Sequence, residues 1–249
     1  MEEKKINPLY TKKWFGIALL VLGIFSVAII VYRLVNYVYE YDPEYSPIDY
    51  GRFNILSYFT VHSNLFVCFY LIVSALAVFG NEKAQKIAFD PLLGAMMTTY
   101  IIVTGVVYCG GIPLGFTPPF KWDNFIHWMS SFIQVYHHMI IPPIMLLLWF
   151  FPAINKRVSY KKAWLIGIYP FVYSIFSMVR GAVFEPTFYP YPFYEPDFFA
   201  NMFFADKGLS LLQSYLLILP ALVAGIGIFI GLGAIIILIN NKLIKEINE

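Results

Sequence analysis

The sequence predicts an all-α integral membrane protein, built as a single six-transmembrane-helix bundle over residues 1–249 with both termini in the cytoplasm. Three observations predict this fold class. The chain is 59% hydrophobic and 13% charged, with a mean hydropathy of +0.68, which lies outside the range of a soluble domain. Six apolar segments each reach the ~20 residues that a helix needs to cross a bilayer. The basic residues fall mainly between these segments.

The first segment begins at Trp14 and continues without a small-residue cleavage site. It is therefore predicted to be a retained anchor and not a signal peptide. Each later segment is also long enough to span, and the loops between them are mostly short. The predicted spans cover residues 14–38, 54–79, 91–112, 124–151, 163–184 and 208–239.

The distribution of lysine and arginine predicts the orientation. Only Arg52, Lys121 and Lys207 fall in the loops opposite the termini. The side with more basic residues is predicted to be cytoplasmic, and the predicted location is a bacterial cytoplasmic membrane. The bias toward Ile, Phe, Tyr, Lys and Asn indicates only an AT-rich bacterial genome. Twelve basic residues lie on the terminal side: Lys4, Lys5, Lys12, Lys13, Lys83, Lys86, Lys156, Arg157, Lys161, Lys162, Lys242 and Lys245. They are dispersed and the net charge is +2, so no nucleic-acid partner is expected.

The longest outer loop, residues 185–207, combines four prolines with a run of aromatic side chains. The prolines prevent a continuous helix, and the aromatic rings favour the membrane interface. This loop is predicted to fold over the outer mouth of the bundle as a lid.

Polar side chains within the spans are the strongest functional signal, because each would be costly in hydrocarbon unless it faced the bundle interior or a wet cavity. At 1.5 Å per residue, Thr60 lies roughly 9 Å and His127 roughly 5 Å below the outer ends of their spans, so the two are predicted to meet. His137 and His138 lie roughly 20 Å down, too deep to join that contact without strong tilt.

A threonine hydroxyl becomes nucleophilic when a neighbouring base takes its proton, and neutral histidine is the usual base. The predicted pair is Thr60 as nucleophile and His127 as base, with Asp123 orienting the ring. Donors to a developing oxyanion are predicted from Asn64 and Arg180. Ser131 and Tyr108 complete the candidate site.

Each of these residues also has a structural interpretation. Threonine hydroxyls in membrane helices usually bond to backbone, which applies to Thr60. Asp123 fits a helix N-cap, and Arg180 could extend to lipid headgroups. No metal site is predicted, because His137 and His138 point to different sides of an α-helix and no His-x-x-x-His spacing occurs. No cofactor is expected.

Several motifs resemble, in order, those of a bacterial family of six-span membrane proteins. The segment Phe59-Thr60-Val61-His62-Ser63-Asn64 resembles that family's Phe-Thr-x-x-Ser-Asn motif. Further matches are Thr104-Gly105-x-Val107-Tyr108, Asp123 with His127, Tyr169-Pro170, Arg180-Gly181 and Tyr189-Pro190-Tyr191-Pro192-Phe193. One departure is His137, ten residues after the motif histidine, where the family often has aspartate.

The bacterial family is distantly similar to the androgen-induced and androgen-dependent six-span proteins, which hydrolyse fatty acid esters of hydroxy fatty acids with an intramembrane threonine and histidine. The resemblance implies that Thr60 is the nucleophile, His127 the base, and a lipid ester from the bilayer the substrate. Acyl transfer to a lipid alcohol remains an alternative.

Two non-catalytic alternatives also remain. In the first, Gln134, His137 and His138 line the path of a transporter or small-molecule binding protein. In the second, the chain is a structural partner subunit whose polar faces bond to each other.

Overall fold

The structure is a computed structural model that describes residues 6–36, 51–115, 120–184, 187–204 and 208–248, with side chains described up to residue 244. Over these ranges the regular structure is helical, and the one bridge of strand type is an isolated antiparallel contact between Ile6 and Ile154. The predicted all-α class is confirmed.

Six helices in the described ranges are long and apolar enough to cross a membrane. They correspond in order to the six predicted spans, with ends that differ by a few residues. The helices are Lys13–Val35, Phe59–Val78, Pro91–Gly111, Phe125–Trp149, Tyr160–Val183 and Leu211–Ile244.

In finer detail, we number the α-helices in chain order. They are α1 (Lys13–Val35), α2 (Phe59–Val78), α3 (Glu82–Ala88), α4 (Pro91–Gly111), α5 (Phe125–Val135), α6 (Ile141–Trp149), α7 (Ile168–Val183), α8 (Pro196–Phe204) and α9 (Leu211–Asn248). A π-helical turn, Tyr136–Ile140, joins α5 to α6 within one span. Tight 3-10 turns occupy Arg52–Ser57 and Tyr160–Gly167, where the sequence predicts the first turns of the second and fifth spans.

Local polar signals explain where several helices begin. The Asn81 side chain accepts from the Ala84 N–H at the start of α3, and Asp90 accepts from the Leu92 N–H at the start of α4. Asn124 caps α5 by accepting from the His127 N–H at 2.9 Å. The interpretation of Asp123 as an N-cap is therefore wrong, because the neighbouring amide has the cap position and leaves the Asp123 carboxylate free for the His127 ring.

The chain divides into two compact units. The first comprises Met1–Lys162 together with Gly233–Glu249. In it, α1 packs along α2, and α4 packs against α2, α6 and the π turn. The C-terminal part of α9 joins this unit through Trp149 Nε1, which donates to the Ile236 carbonyl at 3.2 Å. The prediction of a single domain remains a prediction.

The second unit, Ala163–Leu232, contains α7 and the described part of the predicted lid. Residues 187–204 form a 3-10 turn, Pro192–Tyr194, followed by α8. The ends of the predicted lid, residues 185–186 and 205–207, lie outside the described residues. Ser174 and Tyr194 bond through their hydroxyls at 3.0 Å, which ties the aromatic segment to α7.

Two glycines allow backbones in the first unit to approach closely. A Cβ added at Gly23 would lie 2.7 Å from Ile72 Cγ1, so α1 and α2 approach through this position. A Cβ at Gly105 would lie 2.8 Å from the His138 carbonyl oxygen and 2.9 Å from Pro142 Cγ. Small residues at such crossings let membrane helices pack tightly, and Gly105 thereby brings α4 against the π turn.

We predict that Gly105→Ala destabilises the protein by about 1–3 kcal/mol, because a carbonyl oxygen and a proline ring cannot move aside as a flexible side chain would. Gly110→Ala is the matched control, since a Cβ at this position of the same helix has nothing within 4 Å. Thermal unfolding in detergent measures both. Equal unfolding temperatures would show that the approach of α4 to the π turn is not as close as described.

Candidate functional site

A cleft in the first unit contains most of the deep polar side chains. Its empty space is about 260 Å³. The space open to water centres is about 10 Å³, enough for about one water molecule. Three aliphatic residues and five polar residues line it: Ile30, Ile55, Val61, Arg33, Thr60, Asn64, His137 and His138.

Thr60 is the second residue of α2 and is half-buried. Its backbone carbonyl accepts two side-chain hydrogen bonds, from Ser63 Oγ at 3.0 Å and from Asn64 Nδ2 at 2.8 Å. Ser63 in turn accepts from the Thr104 hydroxyl at 2.6 Å, because its own proton is donated to Thr60. The Phe-Thr-x-x-Ser-Asn segment therefore fixes the backbone that carries the Thr60 hydroxyl at the cleft.

Asn64 is 2% exposed, and its amide orientation follows from its one described bond. A carbonyl can only accept, so Nδ2 must face the Thr60 carbonyl. Oδ1 is then left as an acceptor, and it is buried without a hydrogen-bond partner. Leaving such an acceptor without a hydrogen bond costs about 1–3 kcal/mol. This side of the cleft is therefore suited to a ligand or water that donates a hydrogen bond.

His138 is 4% exposed and has a defined tautomer. Its Nδ1 lies 2.9 Å from the Gln134 carbonyl, which can only accept, so Nδ1 carries the proton. In the neutral ring Nε2 is then the acceptor. The Tyr108 ring stacks on His138 with centroids 3.8 Å apart and planes 16° apart. Bonded on one edge and stacked on one face, His138 is held as a proton acceptor at the cleft.

His137 is 3% exposed, and its Nε2 is buried without a hydrogen-bond partner. The π turn explains why this histidine and His138 line the same cleft. The Ile141 N–H bonds to the Tyr136 carbonyl five residues back, where a regular α-helix would use the His137 carbonyl, and Pro142 has no N–H to donate to the His138 carbonyl. Adjacent as they are in the sequence, both histidines thus contribute to one cleft.

Ser26 and Tyr136 support the π turn from the side of α1. The Ser26 hydroxyl and the Tyr136 hydroxyl lie 2.9 Å apart, and both residues are buried. Tyr136 also packs edge-to-face on Phe25. One hydrogen bond and one ring contact thereby connect α1 to the turn that carries the histidines.

His127 does not line the cleft. Its Nδ1 donates to Asp123 Oδ1 at 2.7 Å, and the two side chains are 37% and 69% exposed. The hydrogen bond from His127 holds the pKa of the Asp123 carboxyl below its usual value. The predicted orienting contact is thus present, but it lies near the start of α5, about 16 Å along the helix axis from His138.

The structure brings Thr60 together with His137 and His138, although the depth estimate placed these histidines out of its reach. That estimate assumed that both spans begin at one level. The helix Phe125–Trp149 has 25 residues and is roughly 37 Å long, more than the ~30 Å of hydrocarbon. Because Thr60, near the start of α2, lines the cleft with His137 and His138, the first turns of α5 extend past the level at which α2 begins.

Two other candidate residues have structural partners. Ser131 accepts from the Lys121 N–H at 2.9 Å and donates to the Lys121 carbonyl at 2.8 Å, so it braces the segment before α5. Arg180, in the second unit, donates from Nη1 to the Phe188 carbonyl at 2.9 Å, and its guanidinium carbon lies 4.7 Å from the centre of the Phe188 ring. Arg180 thereby anchors the aromatic segment.

The sequence pattern did not place Arg33 in the candidate site, and it assigned His137 and His138 only to the alternative of a transport protein. Arg33 lies in the last turn of α1 and lines the cleft. A signal was present, since an arginine inside an apolar span marks a functional site by default. The signal for the histidines was His138 followed four residues later by Pro142, a position at which proline disturbs helical bonding.

A second cavity, with about 530 Å³ of empty space, lies between the starts of α1 and α4 and the end of α6. Its main polar groups have structural bonds. Tyr70 donates to the Ala88 carbonyl at 3.0 Å, and Asp90 caps α4. The smaller cleft, with unsatisfied acceptors beside a hydroxyl, is the better candidate site.

Across the described residues, no group of three or more His, Cys, Asp or Glu side chains could hold a metal ion. His62 donates to the Leu56 carbonyl at 2.6 Å and so supports the turn before α2. The candidate chemistry is therefore drawn from the hydroxyl, the two imidazoles, the amide and the guanidinium at the cleft.

The chain matches no protein-family model, no curated protein and no solved structure.

We predict that His127→Ala raises the pKa of Asp123 toward its ordinary value, because the hydrogen bond from His127 is the largest cause of the lowering. A lowered carboxyl pKa stabilises the fold above the unfolded pKa, and this contribution is lost as the pH falls through the folded pKa. The ¹³Cγ resonance of Asp123, assigned by its loss in Asp123→Asn, gives the titration midpoint. Identical midpoints with and without His127 would contradict the pairing.

Proposed function

We propose that this protein is an intramembrane threonine hydrolase that cleaves fatty-acyl lipid esters, such as fatty acid esters of hydroxy fatty acids, through an acyl-Thr60 intermediate. One observation carries the proposal. Thr60 lines the same cleft as His138, whose Nδ1 is bonded to a carbonyl so that Nε2 is available to accept a proton.

In the acylation step, Thr60 Oγ1 attacks the ester carbonyl carbon while His138 Nε2 takes the hydroxyl proton. The tetrahedral intermediate then collapses, the bond from carbon to the alcohol oxygen breaks, and His138 returns the proton to that oxygen. The alcohol leaves and the acyl group stays on Thr60. Positioned proton transfer of this kind typically contributes 10²–10⁴-fold to the rate.

Arg33 is the group that we assign to the oxyanion. It supplies the guanidinium that lines the cleft, and a positive charge in a water-poor site stabilises charge that develops on a carbonyl oxygen. Asn64 is less suited to this role, because one of its two Nδ2 protons is donated to the Thr60 carbonyl and its Oδ1 can only accept. An oxyanion role for Arg180 remains a prediction from the sequence.

The walls of the cleft support a fatty-acyl substrate. Ile30, Ile55 and Val61 line it beside the polar groups, and apolar walls around a few placed polar groups are typical of lipid-like ligands. A substrate that enters from the bilayer brings its ester to Thr60 with its chain along these residues. Hydrolysis and acyl transfer share this first step.

We place the protein in a bacterial cytoplasmic membrane with both termini in the cytoplasm. The support is the excess of lysine and arginine on the terminal side. In this orientation the start of α2 faces outward.

The base is assigned to His138 and not to His127, which was the assignment from sequence. His138 Nδ1 is bonded to a carbonyl alone, so His138 presents Nε2 as a base. His127 Nδ1 instead lies 2.7 Å from Asp123 Oδ1 and 2.9 Å from the donor Asn124 Nδ2. Only His138 of the two lines the cleft with Thr60. Substitution of His127 and of His138 in separate variants distinguishes the two assignments.

We predict that Thr60→Val and His138→Gln each reduce ester hydrolysis by about 10²-fold or more, as expected for loss of a nucleophile or of its base. The measurement is turnover of a panel of fatty-acyl esters by purified protein in detergent. Labelling by an acyl-directed fluorophosphonate probe should also disappear in Thr60→Val.

Two controls accompany this measurement. Thr60→Ser keeps a hydroxyl and should retain turnover, and His127→Gln should stay within a fewfold of the unmodified protein. Loss in His127→Gln with retention in His138→Gln would return the base to His127. Absence of turnover in the unmodified protein would instead favour a lipid-binding or transport protein.

A further inference from the structure

The two unsatisfied acceptors of the cleft point to a site for a water molecule. Asn64 Oδ1 and His137 Nε2 are both buried and have no hydrogen-bond partner in the described chain. Both residues line the cleft, whose space for water centres is about 10 Å³. That volume fits about one water, and a water needs two or more polar partners to be held in a buried place.

We propose that Asn64 and His137 bind the water that hydrolyses the acyl-Thr60 intermediate, so that each of the two adjacent histidines serves one half of the reaction. This inference rests on the proposed function and deepens it. It assigns His137, which acylation does not use, to deacylation. It also selects water over a lipid alcohol as the acyl acceptor.

The hydrogen-bonding capacity of the two groups suits a water nucleophile. The His137 ring is hydrogen-bonded to the Ser26 backbone, and since Nε2 has no partner this bond uses Nδ1 as the donor. The neutral His137 ring therefore has its lone pair on Nε2, and Asn64 Oδ1 can only accept. One water can donate a proton to each acceptor. Its oxygen lone pairs are then directed away from both groups and are free to attack the acyl carbon on Thr60.

Deacylation transfers the acyl group from Thr60 to the bound water. The water oxygen forms a bond to the acyl carbon while His137 Nε2 takes one water proton. The bond between the acyl carbon and Thr60 Oγ1 then breaks, and His137 returns the proton to Oγ1. The products are the fatty acid and the Thr60 hydroxyl, and His137 ends in the neutral form in which it began.

A lipid alcohol is a poor fit for the same place. The reason is hydrogen bonding and not space, because the alcohol that leaves in acylation occupies the same region. An alcohol has one hydroxyl proton and would satisfy one of the two acceptors. The other would remain buried and unpaired, at the usual cost of such a group.

The test is rapid-mixing kinetics with a p-nitrophenyl fatty-acyl ester, in which release of nitrophenol reports acylation and steady-state turnover reports deacylation. We expect His137→Gln to keep the rate of the first-turnover burst within about threefold and to lower steady-state turnover about 10²-fold or more. Acyl-Thr60 should then accumulate and be visible in the mass of the intact protein. His138→Gln is the matched control and should lose the burst itself.

Asn64→Ala provides a second variant, because it removes the other acceptor without touching either imidazole. Hydroxylamine, a strong nucleophile that does not need the water site, should release the acyl group from His137→Gln and restore turnover. Rescue by hydroxylamine would not occur if His137 only supported the fold. Reaction of the unmodified protein in H₂¹⁸O should place ¹⁸O in the fatty acid.

The outcomes separate this inference from the proposed function. If the unmodified protein forms acyl-Thr60 and His137→Gln clears it at the unmodified rate, the water site is wrong and the threonine mechanism stands. If acyl-Thr60 forms but the acyl group passes to an added lipid alcohol without ¹⁸O incorporation, the acceptor is an alcohol and the water site is overturned. If no acyl-Thr60 forms, both proposals fail.

Discussion

The packing of the π turn Tyr136–Ile140 against α4 is the contact on which the candidate site depends. Pro142 has no N–H for regular helical bonding, and the Ile141 N–H bonds to the Tyr136 carbonyl five residues back. Gly105 lets the His138 carbonyl approach α4 closely enough that no Cβ could stand between them. Without that approach the stack of Tyr108 on His138 would not form, and neither histidine would have a fixed direction.

Buried polar groups without a hydrogen-bond partner are especially unfavourable in a membrane protein. Hydrocarbon offers no water to a buried amide oxygen or imidazole nitrogen, so most polar groups of the first unit are bonded to protein. Ser63 with Thr104, Ser26 with Tyr136 and Ser131 with Lys121 all follow this rule. Among the described residues of this unit, Asn64 Oδ1, His137 Nε2 and Asn240 Oδ1 depart from it. The first two line one cleft with Thr60, and the proposed hydrolytic site is built on that pair.

Sequence reasoning predicted the fold because hydropathy and length alone decide which segments can span. It also identified Thr60 and Asn64, since both follow directly from the polar face of α2. It placed His137 and His138 too deep to reach Thr60, because it treated the span Phe125–Trp149 as a regular helix beginning level with α2. The π turn and the extension of the first turns of α5 depend on contacts with α1 and α4, which a single-sequence pattern does not contain.

The measurement that tests the central claim most directly is chemical cross-linking of cysteine pairs in membranes. In a background with Cys68→Ala and Cys109→Ser, one protein carries Thr60→Cys with His138→Cys, and a second carries Thr60→Cys with His127→Cys. A short bismaleimide should join the first pair and not the second, because Thr60 and His138 line one cleft and His127 does not. Cross-linking of the second pair alone would contradict the account and place the threonine beside the outer histidine.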